Sequence, residues 1–168
     1  MVFTIQAQGE AFMSEFDVTS RTDIAKITLN SAPDRPGIGA QIFGALWSYD
    51  INVELVSSAP APEGRADVTL VVGKTQLNPA ILKLKKIKEE LDAKDLTVDQ
   101  GVAIVTVSHP KLSKTPGIAA KVFSLLSQAN INVEAISSST TSIACVIREK
   151  EEQKALAALR KGLGEKKD

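Results

Sequence analysis

The sequence is poor in cysteine, histidine and aromatic residues. Its 168 residues include one Cys, one His and 4% aromatic residues. The single thiol, Cys145, cannot form an internal disulfide, and no His or second Cys lies at the spacing of metal ligands. The sequence also lacks a glycine-rich phosphate loop and a nucleophile with a nearby base. We therefore expect no metal site, no cofactor and no catalytic residues.

The chain also lacks an excess of charge and long apolar runs. Twenty basic residues balance twenty acidic ones, which removes the long-range attraction for nucleic acid or for an anionic membrane. No apolar run is long enough to cross a bilayer, and the N-terminus lacks the basic start of a signal peptide. These features predict a cytoplasmic protein that binds neither nucleic acid nor membranes.

What the sequence does contain is an internal repeat. Residues 36–58 match residues 116–138 without a gap, so that Pro36-Gly37-Ile38 returns as Pro116-Gly117-Ile118 and Ile51-Asn52-Val53-Glu54 returns as Ile131-Asn132-Val133-Glu134. The offset, 80 residues from Pro36 to Pro116, is too long for a solenoid repeat and suits a small domain in duplicate.

In the first copy the hydrophobic periodicity alternates between strand and helix. Strands are predicted at residues 25–29, 52–57, 67–72 and 96–98, with a loose hairpin loop at 59–64. The helix after Pro36-Gly37 has a predicted buried face of Ile38, Ile42, Ala45, Leu46 and Tyr49. The second helix is predicted to start at Asn78-Pro79, with Asn78 as the cap. The order β-α-β-β-α-β predicts an α+β, ferredoxin-like domain, with an antiparallel four-stranded sheet and both helices on one face.

The second copy repeats this order but has no final strand. Its strands are predicted at residues 102–107, 132–137 and 142–147. Residues 1–20 contain strand-like segments at 2–5 and 16–18 that have no place in the first copy. We therefore predict that the N-terminal segment completes the second sheet. The first domain, residues 21–100, is then inserted into the second, residues 1–20 plus 101–163.

The repeated passages resemble the tandem ACT domains of aspartate kinase. The resemblance is carried by residues 32–38, 50–54, 116–123, 130–139 and 142–147, and it extends over about residues 15–163. It implies two ACT domains in tandem that form a non-catalytic, amino-acid-binding regulatory subunit or domain. The implied effectors are lysine, threonine or both, and the implied partner is a catalytic aspartate kinase subunit or domain.

The residues themselves suit such a ligand. A helix that begins after Pro36-Gly37 presents free backbone N–H groups and the positive end of its dipole, which together favour an α-carboxylate. Asp34 offers a carboxylate to an ammonium group, and the Asn52 side chain both donates and accepts. The resemblance implies that the effector lies between two ACT domains. The candidate effector-binding residues are Asp34, Arg35, Pro36, Gly37, Ile38, Gly39, Ala40, Gln41, Asn52, Val53, Glu54, Asn132, Val133 and Glu134, with a second, weaker site at Thr115, Pro116, Gly117 and Ile118.

Structural roles remain open for several of these residues. Asp34 and Thr115 could be helix N-caps, which is the role we favour for Thr115. Asn52 and Asn132 could be turn residues ahead of their strands. Outside the site, His109 is expected to be a loop residue without a function, and Cys145 is expected to be a small core residue.

Two features depart from the family pattern. Aspartate kinases usually have a Gln-Asn pair that contacts the effector where this chain has Ser57-Ser58. The second copy has residues 108–112, Ser-His-Pro-Lys-Leu, in place of a glycine-rich connection. These differences leave the choice between lysine and threonine open and make the second turn the weaker site.

The second strand of each domain is expected at a sheet edge, which invites pairing with another chain. We therefore predict a homodimer formed through ACT domains, with the effector pocket at its interface. The alternative is an ACT-type dimerisation or docking module with vestigial effector sites.

Overall fold

The computed structural model describes residues 16–164, which divide into two compact domains. Domain 1 is Asp23–Val102, and domain 2 combines residues 16–22 with the described residues from Ala103 onward. The predicted limits, after residues 20 and 100, fall within two residues of this division. The predicted strand at residues 2–5 lies outside the described residues.

Twelve strands and helices follow one another along the described chain. They are β1 (Asp17–Arg21), β2 (Ile24–Pro33), α1 (Ile38–Trp47), β3 (Leu55–Ala61), β4 (Arg65–Gly73), α2 (Leu77–Glu90), β5 (Asp95–Asp99), β6 (Val102–Ser108), α3 (Ile118–Gln128), β7 (Ala135–Ser138), β8 (Ser142–Arg148) and α4 (Glu152–Leu163). Short 3₁₀ turns precede α2, α3 and α4. None of the described helices is long and apolar enough to cross a membrane.

Each domain contains one four-stranded antiparallel sheet. The strand order is β3-β4-β2-β5 in domain 1 and β1-β6-β8-β7 in domain 2. β1 pairs antiparallel with β6, with Val18 opposite Val107, so the N-terminal segment joins the sheet of domain 2 as predicted for residues 16–18. β3 and β7 lie at the edges of their sheets, as expected for the second strand of each copy.

The helices of each domain cover one face of its sheet and form one core with it. In α1 the residues at steps of four, Ile38, Ile42 and Leu46, are buried and pack with Ile27 and Leu70 of the sheet. This spacing keeps one stripe of the helix facing inward. In α3 the corresponding residues are Ile118, Val122 and Leu126. The repeat therefore produces the same helix-on-sheet packing twice.

Four local predictions differ from the structure. The predicted loop at residues 59–64 is mostly strand, because β3 extends through Pro60 to Ala61 and leaves a three-residue turn. Pro60 is tolerated there because an edge strand does not need every backbone donor. Tyr49, predicted to be buried, is 56% exposed because α1 ends at Trp47. α2 begins at Leu77, so Asn78 lies inside the helix and does not cap it.

The fourth difference is that the strands after the first helices start later than predicted. β3 begins at Leu55 and β7 at Ala135, three residues beyond the predicted starts. Residues 52–54 and 132–134 therefore lead into the strands without belonging to them. We refer to these two stretches as the first and second lead-in segments.

Candidate functional site

The turn before α1 depends on a glycine in a left-handed conformation. Gly37 has φ 94° and stands at the N-cap position of α1, and Gly117 repeats this with φ 85° ahead of α3. Residues with a β-carbon rarely adopt such values. The repeated Pro-Gly pair is therefore required by the way each helix begins.

The turn leaves backbone donors free at the start of both helices. In domain 1 the N–H of Ile38 donates weakly to Arg35 O at 3.4 Å, and that of Gln41 donates to Gly37 O at 3.0 Å. Within the described part of the chain, the N–H groups of Gly39 and Ala40 have no acceptor. Both residues are exposed. Domain 2 has the same arrangement, with the free N–H groups on Ala119 and Ala120.

Asp34 and Thr115 do not cap the helices that follow them. Neither helix has a side-chain hydrogen bond at its N-cap. Asp34 is exposed, and its backbone N–H donates to Gly64 O at 2.8 Å. The Thr115 hydroxyl donates to Lys111 O at 2.9 Å. Capping, the role we favoured for Thr115, is therefore wrong, because the hydroxyl is used within the preceding turn.

The first turn is sterically more open than the second. A β-carbon built on Gly37 or Gly39 meets no atom within 4 Å, so the space around these residues is empty. The residue that corresponds to Gly39 in domain 2 is Ala119, whose methyl group points back toward the start of the helix. A ligand can approach the free N–H groups of α1 more closely than those of α3.

Within one domain the turn and the lead-in segment lie apart. The turn precedes α1 and the first lead-in segment follows it, and a ten-residue helix is about 15 Å long. Asp34–Gly39 and Asn52–Glu54 therefore do not form one compact site in a single domain. The same separation holds for Thr115–Ile118 and Asn132–Glu134 in domain 2.

The first lead-in segment is held by a residue that the sequence analysis missed. The Gln76 side chain donates from Nε2 to Asp50 O at 2.8 Å, and its Oε1 accepts from the N–H of Asn52 at 3.2 Å. Glu54 continues toward the strand by donating its N–H to Val71 O at 2.8 Å. The only sequence signal for Gln76 is a polar residue just before α2, which is too common to be informative.

The second lead-in segment has a different environment. Glu134 forms an ion pair with Arg148 at 2.5 Å, and its N–H donates to Val146 O at 2.8 Å. Asn132 lies at the rim of an open hollow of about 490 Å³, together with Ser127, Asn130, Ile131 and Glu151. This hollow therefore contains a predicted effector residue.

Two further residues named from the sequence have structural surroundings. Cys145 is buried, and burial raises its thiol pKa from 9.0 to about 11, which confirms its place in the core. His109 lies in the loop that follows β6, as expected, and it is buried, at 2% exposure. Its ring lies 4.7 Å from that of Phe16, and its Nδ1 accepts the N–H of Lys111 at 3.0 Å.

Known proteins match both domains of the chain. The ACT domain family matches residues 27–89 and again residues 105–163. Aspartate kinase Ask_LysC of Stutzerimonas stutzeri (strain A1501) is 30% identical over 137 residues, which are 82% of this chain and 33% of that protein. The chain thus spans about a third of the length of the curated relatives it matches.

Two solved structures have the same architecture over nearly their whole length. The ligand-free regulatory subunit of aspartate kinase from Thermus thermophilus is 27% identical with a TM-score of 0.81, and the match covers 86% of this chain and 95% of that one. A structure of aspartokinase alpha and beta subunits gives 26% identity, a TM-score of 0.80 and the same coverage of 86% and 95%. The chain belongs to the ACT domain family, as a tandem pair of the kind that forms the regulatory portion of aspartate kinases.

Proposed function

We propose that this chain binds a free amino acid and exerts feedback control on an aspartate kinase, with lysine, threonine or both as effectors. One observation carries the proposal. The N–H groups of Gly39 and Ala40 are exposed and free at the start of α1, where the helix dipole adds attraction for an α-carboxylate.

The ligand is proposed to bridge two ACT domains. Its carboxylate binds the N–H groups at the start of α1, and Asp34 receives the ammonium group. A lead-in segment of an ACT domain in a second copy of the chain, Asn52–Glu54 or Asn132–Glu134, supplies the remaining contacts. The separation of about 15 Å between the two ends of α1 supports a site that needs two domains. The second turn, Thr115–Ile118, is the weaker candidate, because the methyl group of Ala119 restricts the access of a ligand to the free N–H groups of α3.

Calorimetric titration with each of the twenty amino acids tests this function. We expect saturable heat with lysine, threonine or both. Gly39→Ala should weaken that binding by about tenfold, since its methyl group restricts access to charge-assisted hydrogen bonds. Gly44→Ala is a matched control in the same helix, because its β-carbon also meets no atom within 4 Å. Absence of heat with all twenty amino acids would contradict the proposal.

A catalytic aspartate kinase chain or domain is the proposed partner. The proposal is supported by the length of the relatives, of which this chain spans about a third, and by its likeness to a structure that holds both aspartokinase subunits. The check is an assay of aspartate phosphorylation by the cognate kinase, with and without this chain and the bound amino acid. An amino-acid response that does not require this chain would exclude the regulatory role.

A homodimer is proposed through the outer surfaces of domain 1. α1 contains no charged residue, and its outward side chains Phe43 and Trp47 are 38% and 82% exposed. In the same domain β3 presents an open sheet edge, with Val56 exposed. A helix that is apolar on both faces is usually covered, and an open edge favours strand pairing.

Sedimentation velocity tests the dimer. We expect a dimer for the native chain and a monomer for Trp47→Glu, while Leu82→Glu on α2 is the control because Leu82 is 70% exposed. The proposed dimer would be excluded if the native chain sediments as a monomer both with and without amino acids. If the dimer forms but no amino acid binds, the alternative function holds, an ACT-type docking module with vestigial effector sites.

A further inference from the structure

The strand that leads into the first turn contains a β-bulge. Leu29 of β2 lies opposite Val68 of β4, and Ala32 lies opposite Ala66, so β2 has one residue more than β4 over this interval. An extra residue reverses the alternation of a strand, and Leu29 and Ala32 are both buried in the core of domain 1. The bulge therefore sets the direction in which the chain reaches Asp34.

Ser31, inside the bulge, has an unusual backbone conformation that two side chains hold. Its φ is 54°, in the left-handed region that residues with a β-carbon rarely adopt. The N–H of Ser31 donates to Asp67 Oδ1 at 2.7 Å, and its carbonyl accepts from Arg65 Nη1 at 3.0 Å. Both backbone groups of this residue therefore have a charged partner on β4.

Arg65 also binds the segment that follows α2. Its Nη1 donates to Asp92 O at 2.7 Å, and its Nη2 pairs with Asp92 Oδ2 at 3.3 Å. A guanidinium carries five N–H donors, so one side chain can bind two carbonyls and a carboxylate together. The Asp92 side chain is 96% exposed, and an ion pair with so exposed a carboxylate contributes little. The contacts that matter are those to the two carbonyls.

The same end of β4 also holds the residues next to the turn. Gly64 O accepts the N–H of Asp34 at 2.8 Å, and Arg65 lies opposite Pro33 in the sheet. Pro33 is the last residue of β2, and only residues 34–37 separate it from α1. Arg65 therefore acts on the approach to the turn twice, through its backbone at Pro33 and through its side chain at Ser31.

Domain 2 approaches its turn differently. β6 ends at Ser108, and residues 109–117 separate it from α3, with a 3₁₀ turn at Leu112–Lys114. The sheet of domain 1 therefore continues closer to its turn than the sheet of domain 2 does. This difference supports the first turn as the better-positioned site.

We propose that Arg65 is a positioning residue for the effector site at the start of α1, because through the carbonyl of Ser31 it fixes the bulge that places Asp34 relative to the helix. The inference deepens the proposed function and rests on it. Arg65 does not touch the ligand, and it acts through Asp34, the proposed partner of the ammonium group. Its bond to the carbonyl of Asp92 joins this approach to the end of α2.

Calorimetric titration of Arg65 variants with L-lysine and L-threonine tests the proposal. Arg65→Gln should weaken binding by about tenfold, because Ser31 O loses its charged donor and the bulge is no longer fixed. Arg65→Lys keeps a cation that can donate to Ser31 O, so it should recover most of the lost affinity. Asp92→Asn is the matched control, since it removes the ion pair but neither carbonyl, and it should bind like the native chain.

A second substitution relieves the need for Arg65. Glycine adopts a φ of 54° without strain, so Ser31→Gly combined with Arg65→Gln should bind more tightly than Arg65→Gln alone. A purely general loss of stability at Arg65 would not be corrected at Ser31. The double variant also keeps the test available if Arg65→Gln does not fold.

The ¹⁵N–¹H spectrum of the chain without ligand gives a further readout. Gly37 and Gly117 stand at the same position of the two turns, so Gly117 is an internal control for Gly37. Arg65→Gln should shift the amide resonance of Gly37 and leave that of Gly117 in place. Displacement of both resonances to the positions of an unfolded chain would identify a variant that does not fold.

The outcomes separate the two proposals. If the native chain binds no amino acid, the proposed function fails and this inference fails with it. If the native chain binds lysine or threonine and a folded Arg65→Gln binds it equally well, the inference alone is overturned. An unchanged Gly37 resonance in Arg65→Gln, or an equal loss of affinity in Asp92→Asn, would also overturn it.

Discussion

Leu125 of α3 occupies the space into which a β-carbon on Gly162 of α4 would project. Such an atom would lie 2.3 Å from Leu125 Cδ2 and 2.9 Å from its Cγ, well inside van der Waals contact. Because Gly162 has no side chain, α4 can approach α3 closely. This close packing offsets the low helix propensity of glycine.

The first prediction concerns this contact. Gly162→Ala gains about 1 kcal/mol in helix propensity, but overpacking costs about 1–3 kcal/mol. We therefore expect a net loss of about 1 kcal/mol, measured by denaturant unfolding. The double variant Leu125→Ala with Gly162→Ala removes the clash, so the two changes should be non-additive. Additive effects would show that the two helices adjust without strain.

The second prediction concerns the core of domain 1. Leu84 on α2 is completely buried, whereas Leu82, two residues earlier, is 70% exposed. Leu84→Ala should cost about 2–5 kcal/mol in the unfolding free energy, because it leaves a cavity. Leu82→Ala on the same helix should change it by less than about 0.5 kcal/mol. Equal effects would contradict the assignment of the inward face of α2.

The third prediction concerns Tyr49, the only tyrosine in the sequence. Lys83 Nζ lies 3.4 Å from the centre of its ring. Hydrogen bonding and the positive charge of Lys83 lower the Tyr49 pKa below its ordinary value of 10.0. Lys83→Met should therefore raise that pKa, and ultraviolet titration of tyrosinate follows this residue alone. Lys85→Met, which removes an exposed charge from the same helix, should have a smaller effect.

The fourth prediction is a pH dependence that arises from Cys145. Its thiol pKa is about 11 in the folded protein and 9.0 in the absence of burial. The thiolate therefore favours the unfolded chain, so the contribution of Cys145 to stability is fully present below pH 9 and is lost as the pH rises toward 11. We expect the unfolding free energy of the native chain to fall more steeply over this interval than that of Cys145→Ala. Parallel curves would show that the thiol is not buried in solution.

Much of the architecture follows from local patterns that the chain contains twice. Ile38, Ile42 and Leu46 recur as Ile118, Val122 and Leu126, and this spacing alone predicts the inward face of each helix. The crossover of β1 follows from a missing strand, because a ferredoxin-like sheet needs four. The free N–H groups at the start of α1 are expected from its Pro-Gly turn, whereas those at the start of α3 contradict the N-cap role that we favoured for Thr115.

The differences between the two copies depend on contacts between residues that are distant in sequence. Gln76 holds Asn52 across 24 residues, and the position of Glu151 beside Asn132 depends on how α4 packs in domain 2. The start of β3 at Leu55, later than predicted, also depends on such contacts. Hydrophobic periodicity alone does not distinguish a strand from the segment that leads into it. Local propensity acts over a few neighbouring residues and is enough to build each element. The partner of a particular N–H or carboxylate is set only when the elements pack. Two similar passages therefore acquire different partners, Gln76 for the N–H of Asn52 and Arg148 for the carboxylate of Glu134.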